Sequence, residues 1–311
     1  MDEHLRNLLH AIIGTEPNAP LEDEHRQAIM YALLALHPAE NFEAICEFAQ
    51  SIDSDFKRSH LLYKLVALCA ERTIEFDRAE RIARSIPIPY WRFDALNKIA
   101  SELLRRDREF QRITGRNREY HERALRLLSE IEQGLPLVAE DDRASVLWSA
   151  GLSLVGAGKL EWAEDLVSTS NYCPENTEVL LRIAAAHISR GQINRALQLA
   201  QKVGELATTG AGNLTNRAFD LEEVAELFYA HDEKDRSRQW LEQAAKFAHA
   251  SQEANDIDGC KCLGAIAIAF AKQGLLDEAK RTANLISQPA RREYALQKIK
   301  EQVATSIRNI Y

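Results

Sequence analysis

Small residues recur at one fixed distance along this chain, and that spacing restricts its fold more than any other feature. Pairs stand twelve positions apart at Ala32/Ala44, Ala67/Ala79, Gly151/Ala163, Ala184/Ala196 and Ala267/Ala279, and at Ala225/Ser237, where a serine replaces the second alanine. A seventh pair, Ala100/Ala124, is separated by twenty-four. A small side chain on each of two antiparallel helices lets their axes approach closely. The pattern therefore predicts helical hairpins, and its recurrence predicts a repeat protein. Three copies carry glycine and then an apolar residue at the turn, as Gly158/Leu160, Gly191/Ile193 and Gly274/Leu276. Glycine suits the left-handed residue that closes a helix.

A second frame overlies the first. Arg92, Arg143 and Arg217 each precede the small residue by eight positions, and Arg292 precedes Lys300 by the same interval. At about 100° per residue the arginine falls at the edge of the packed stripe rather than on an open face. The expectation is that it caps carbonyls at the end of the preceding helix or pairs with its acids.

Composition agrees with an all-helical, folded chain. Among 311 residues 46% are apolar and 28% charged, with only 13 Gly and 8 Pro; such a chain is too apolar for disorder. A net charge of −8 argues against nucleic acid as the main partner, since phosphate binding rests on cationic surface. Five scattered cysteines (Cys46, Cys69, Cys173, Cys260, Cys262) fit reduced thiols better than a disulfide framework. The opening MDEHLRNLLHAIIG has no basic n-region, and no apolar run is long enough to span a bilayer. A cytoplasmic location without membrane attachment is the expectation.

The Gly151-to-Ala163, Ala184-to-Ala196 and Ala267-to-Ala279 units, with their glycine turns, resemble the tetratricopeptide-repeat (TPR) family in a divergent form. The first-helix Trp is missing, the closing Pro is irregular, and unit lengths vary from 33 to 45. The resemblance implies an all-α fold, a right-handed αα-superhelix of about seven helical hairpins with an N-terminal helix and a C-terminal capping helix. Residues 1–311 would form one TPR-like domain: an opening helix and linker over 1–22, hairpins over 23–288, and the cap over 289–311. Longer connections are expected at 131–142, 204–216 and 250–259, and an insertion at 105–121 inside the third hairpin. Lys300 stands where a small residue would sit, as suits a cap that faces water.

The same resemblance implies a scaffold that holds a protein or peptide on its concave, first-helix face, without catalysis or cofactor. Carried over position by position, that face would present Lys64 and Glu71, Asn97 and Ser101, Trp148 and Leu152, then Glu222, Glu226 and Tyr229. Trp148 is the outlier: a large aromatic there would anchor a peptide or fill space against a neighbouring helix. The segment 105–126 carries eight Arg against four acids, with Phe110 and Tyr120 interleaved. Arg105, Arg106, Arg108, Arg112, Arg116 and Arg118 are therefore candidates for an anionic ligand, whether acidic peptide, phosphate or RNA. The competing reading is a solvated helical extension laced with pairs such as Arg105/Glu109 and Arg118/Glu122. Cys260-x-Cys262 lacks a second pair at zinc spacing, and no nucleotide loop, nucleophile elbow or metal-binding His motif is present. Self-association through the ends of the array stays open.

Overall fold

The computed structural model describes residues 52–308 apart from 73–75, 114–117, 169–172 and 211, together with Cys46, Ala49 and Gln50. The opening helix, the linker and the Ala32/Ala44 hairpin expected from the sequence lie outside the described residues.

The chain divides into two compact units, Met1–Gly158 and Lys159–Tyr311. In the first unit the described helices are α1 (Asp55–Arg72), α2 (Phe76–Ser85), α3 (Pro89–Ile113), α4 (Arg118–Gly134) and α5 (Glu140–Gly156), with a 3₁₀ turn at Leu135–Leu137. Helix α1 packs on α2 and α3, and α3 packs on α4 and α5. In the second unit α6 (Leu160–Ser168), α7 (Pro174–Ser189), α8 (Ile193–Thr209), α9 (Leu214–Ala230), α10 (Lys234–Glu253), α11 (Ile257–Lys272), α12 (Leu276–Asn284) and α13 (Pro289–Arg308) follow in order. Here α7 packs on α8 and α9, α9 on α10 and α11, and α11 on α12 and α13. In each unit, then, the first helix of a hairpin touches both its own partner and the next first helix. That is the sequential packing of an all-α, TPR-like hairpin repeat.

The small residues sit where the close-approach argument requires, except Ala67, which is only half-buried. Ala79, Ala100, Ala124, Ala184, Ala196, Ala225, Ser237, Ala267 and Ala279 are all fully buried or nearly so. Ser237 spends its hydroxyl usefully: it donates to the Ala225 carbonyl at 2.7 Å and accepts from Gln273 Nε2 at 2.7 Å. A serine at this point therefore keeps the tight crossing and leaves no polar atom unsatisfied.

The turns follow the glycine signal and add two cases that it omits, one of them Asn255 before α11, at φ 64°. Gly158, Gly191 and Gly274 have φ of 75°, 74° and 78°, the left-handed conformation glycine adopts without steric cost. In the α9–α10 hairpin the same place is taken by Asp232, at φ 65°.

The four framed arginines reach back as expected. Arg92 donates from Nε to the Ile86 carbonyl at 2.9 Å and from Nη2 to that of Pro87 at 3.1 Å. Arg143 Nη2 donates to Val138 at 3.1 Å. Arg217 donates to Ala207 and Thr208 at 2.5 and 2.6 Å, and its guanidinium lies 4.2 Å from the centre of the Phe247 ring. Arg292 Nε donates to Ile286 at 3.0 Å. Each fastens the start of one helix to carbonyls left over at the end of the helix or turn before it. The described copies without arginine have Ser59, Asn176 and Gly259 at the register position, and Gly259 shows how one of them closes. A Cβ there would meet the backbone of Ala248 and Gln252 within 3 Å, so the two segments touch directly.

Three connections are shorter than the sequence predicts. Helix α8 runs to Thr209 and α9 starts at Leu214, so most of 204–216 is helical. Helix α10 runs to Glu253 and α11 starts at Ile257, and 131–142 is largely α4, the 3₁₀ turn and α5. Good helix formers such as Glu205, Leu206 and Ala207 extend the helices until glycine or an N-cap stops them; Asn213 and Asp256 supply such caps. The insertion at 105–121 lengthens both α3 and α4. Lys300 is exposed on α13. Among the described residues no helix is long and apolar enough to cross a membrane.

Candidate functional site

The first unit carries a groove of about 280 Å³ between α3 and α5, lined by Asn97, Ser101, Leu104 and Arg108 from one helix and Trp148, Leu152, Ser153 and Gly156 from the other. Its position follows from helix phase. Relative to Ala100, Asn97, Ser101 and Arg108 lie at about 60°, 100° and 80° around α3, away from the stripe of Leu96, Ile99 and Leu103, which is fully buried. The floor is a hydroxyl network. Ser153 donates to Asn97 Oδ1 at 2.9 Å, and the Ser101 and Ser153 hydroxyls lie 2.8 Å apart. Asn97 is only 7% exposed, so it serves as the floor while half-buried Trp148 and Ser101 form the wall. Gly156 leaves room at the mouth; a Cβ there would stand 3.6 Å from Arg108 Nη1. Of the residues named for the first-helix face from sequence, the structure thus brings Asn97, Ser101, Trp148 and Leu152 into one place.

The Arg-rich stretch separates into two sets. Arg105 bonds Glu102 at 2.5 Å and also pairs with Glu109, and Arg106 bonds Glu102 at 3.0 Å. Burial alone would raise the Glu102 carboxyl, but its hydrogen bonds to Arg105 and Arg106 hold it below the usual range. On the facing helix Arg123 pairs with Glu80 at 2.6 Å and with Asp77. Arg108 and Arg112, one turn apart, are exposed and make no ion pair or hydrogen bond among the described residues. Arg116 lies outside the described residues, as do the side chains of Arg118 and Glu71.

The signal missed in the sequence is an aromatic cluster on the same first helices. The Trp91 ring is surrounded by Phe56, His60, Tyr63 and Tyr90, with centroids 5.1 to 6.3 Å away in tilted or edge-on geometry. Phe56 is 61% exposed, and Lys64 stands over the Tyr63 ring at 5.9 Å. Burial, with Lys64 nearby, lowers the His60 pKa. Burial also raises the Asp94 carboxyl despite a hydrogen bond from Tyr63. Trp91 stands nine before Ala100, a phase outside the positions inspected; the close spacing of Phe56, His60 and Tyr63 at i, i+4 and i+7 could have found it.

The second unit presents different chemistry at the equivalent positions. Glu222 is half-buried, and burial together with Glu226 pushes its carboxyl up to about 7, with Lys272 opposing. Burial likewise raises Glu223, against the pull of Arg182. Glu226 pairs with Lys272 at 3.4 Å, and the Tyr229 hydroxyl donates to the Lys272 carbonyl at 3.3 Å. Cys262 is buried near Glu222, and burial first and that carboxylate second hold its thiol far above the usual range, so it is not a reactive thiolate.

No family model and no curated protein sequence matches the chain. Among solved structures it is similar to a putative kinesin light chain with nearly identical TPR-like repeats from Podosopora anserina, at 17% identity and TM-score 0.33, over 70% of this chain and 99% of that one. It is also similar to a signal-transduction ATPase (STAND) protein with a tetratricopeptide-repeat sensor from Pyrococcus horikoshii, at 12% identity and TM-score 0.37, over 95% of this chain and 54% of that one. Likenesses this slight say nothing of function; the fold stands on the helix pairing described above.

Proposed function

We propose that the chain is a non-enzymatic scaffold that holds a segment of a partner protein on its first-helix face, with Trp148 as the anchor. The observation that carries this reading is the groove itself: a half-buried indole beside a satisfied hydroxyl network, all on helices rather than loops. Rigid helices keep such an anchor preorganised, which lowers the entropy lost on binding. Aromatic anchors in partly enclosed pockets carry most of the energy at interfaces. The Trp91 cluster, between α1 and α3, adds a second aromatic patch that shares α3 with the groove.

The test is capture from native lysate with immobilised wild-type protein and Trp148→Ala. The variant is expected to lose at least tenfold of the retained partner at an unchanged melting temperature. Equal capture, or a melting temperature lowered by many degrees, would refute the assignment of Trp148 as an anchor. A nucleic-acid role through 105–126 is the weaker reading, because carboxylates already occupy Arg105 and Arg106. A salt titration of RNA binding distinguishes it, since counterion release makes affinity fall steeply with salt.

A further inference from the structure

We infer that the α3–α5 groove selects partner segments bearing an acidic side chain next to an apolar one. The inference rests on the scaffold reading above and gives its ligand a charge. Two observations meet here. Asn97, Ser101, Arg108 and Arg112 share one face of α3, at about 60°, 100°, 80° and 120°. Arg106, at about 240°, lies off that face, and Arg105, at about 140° on its edge, is held with it by the carboxylates of Glu102 and Glu109. The helix thus neutralises Arg105 and Arg106 and leaves Arg108, at the groove mouth, without a carboxylate among the described residues.

Among the described residues no acidic side chain lines the groove, and none there competes for the guanidinium. A partner carboxylate can take the forked donors of Arg108 in bidentate fashion, with the Ser101 hydroxyl within the same groove. The adjoining apolar side chain would pack on Trp148, Leu104 and Leu152, which supply the greasy part of the lining. A volume near 280 Å³ suits one or two side chains rather than a folded surface. Arg112, a turn further along, extends the positive field for a second acid in the same segment.

The experiment is selection from a phage-displayed library of random dodecapeptides on the full chain, in parallel on Trp148→Ala, Arg108→Gln, Arg108→Glu and the exposed control Arg81→Gln. Wild type and Arg81→Gln should return Trp148-dependent peptides at least threefold enriched in Asp and Glu beside an apolar residue. Arg108→Gln should lose that enrichment and Arg108→Glu should turn it toward Lys and Arg, each with an unchanged melting temperature. Trp148-dependent peptides with no acidic enrichment, or enrichment that survives Arg108→Gln, would overturn the inference while leaving the scaffold reading intact. Absence of any Trp148-dependent selection would remove both.

Discussion

The two units use one backbone device to present opposite chemistry. In the first, the first-helix face offers aromatic rings, hydroxyls and a guanidinium with no carboxylate partner among the described residues; in the second, it offers half-buried Glu222 and exposed Glu226 beside Lys272. The groove side chains of the first unit are a guanidinium, hydroxyls, an amide, an indole and alkyl groups. Glu222 in the second unit titrates close to neutrality. A hairpin repeat fixes where side chains stand but not what they are, so function is carried by substitutions at a few phases of the first helix.

The largest expected effect tests whether recognition belongs to the first unit. Trp148→Ala should weaken capture by about 30-fold, roughly the 2 kcal/mol typical of an aromatic anchor, whereas Tyr229→Ala should weaken it by less than about threefold. The reverse order would move the site to the second unit. Next come the latches that both units share. Arg92→Ala and Arg217→Ala should each lower stability by about 2 kcal/mol in denaturant unfolding, because each leaves carbonyls at a helix end without their donors. A loss in only one unit would break the claim of a common device.

The pH dependence separates the units more finely. Since burial raises the folded-state value of Glu222 above the ordinary 4.5, the folded form binds more protons between about pH 4.5 and pH 7. Stability from this group is therefore present at low pH and is lost as pH rises through 7. Glu222→Gln should remove that loss and stabilise the chain at pH 8 by about 1–2 kcal/mol, allowing for partial solvent screening. A calorimetric series from pH 5 to 8 gives the answer, and parallel profiles for wild type and variant would contradict it. The smallest effect is at the turn: Asp232→Gly should stabilise by about 0.5 kcal/mol, as glycine accepts a left-handed φ more readily, measured as a small rise in Tm.

Much of this was legible in the sequence, and particular residues show why the rest was not. The hairpin crossings could be read because close axis approach admits only small side chains at Ala184 or Ala196. The arginine latches could be read because helix phase excludes Arg92 from the open face. Asp232 hid its turn because aspartate occupies the left-handed region less often than glycine does. The segment 204–216 looked like a loop because Gly204, Gly210 and Gly212 outweighed the helix formers among them. Yet Gly204 is helical, its missing Cβ making space for the Trp240 indole. The pairing of Arg105 and Arg106 against the isolation of Arg108 depends on which rotamers meet Glu102, which spacing alone does not specify.

The arginine latches also bear on how such a chain can change over evolutionary time. Their partners lie five residues back from Arg143, six from Arg92 and ten from Arg217, yet the bond made is the same. A fastening indifferent to the length of the strap lets connections gain or lose residues without shifting the register of the next hairpin. Insertions can then accumulate between units while the crossings are kept, and the periodicity blurs in the sequence long before it is lost in space.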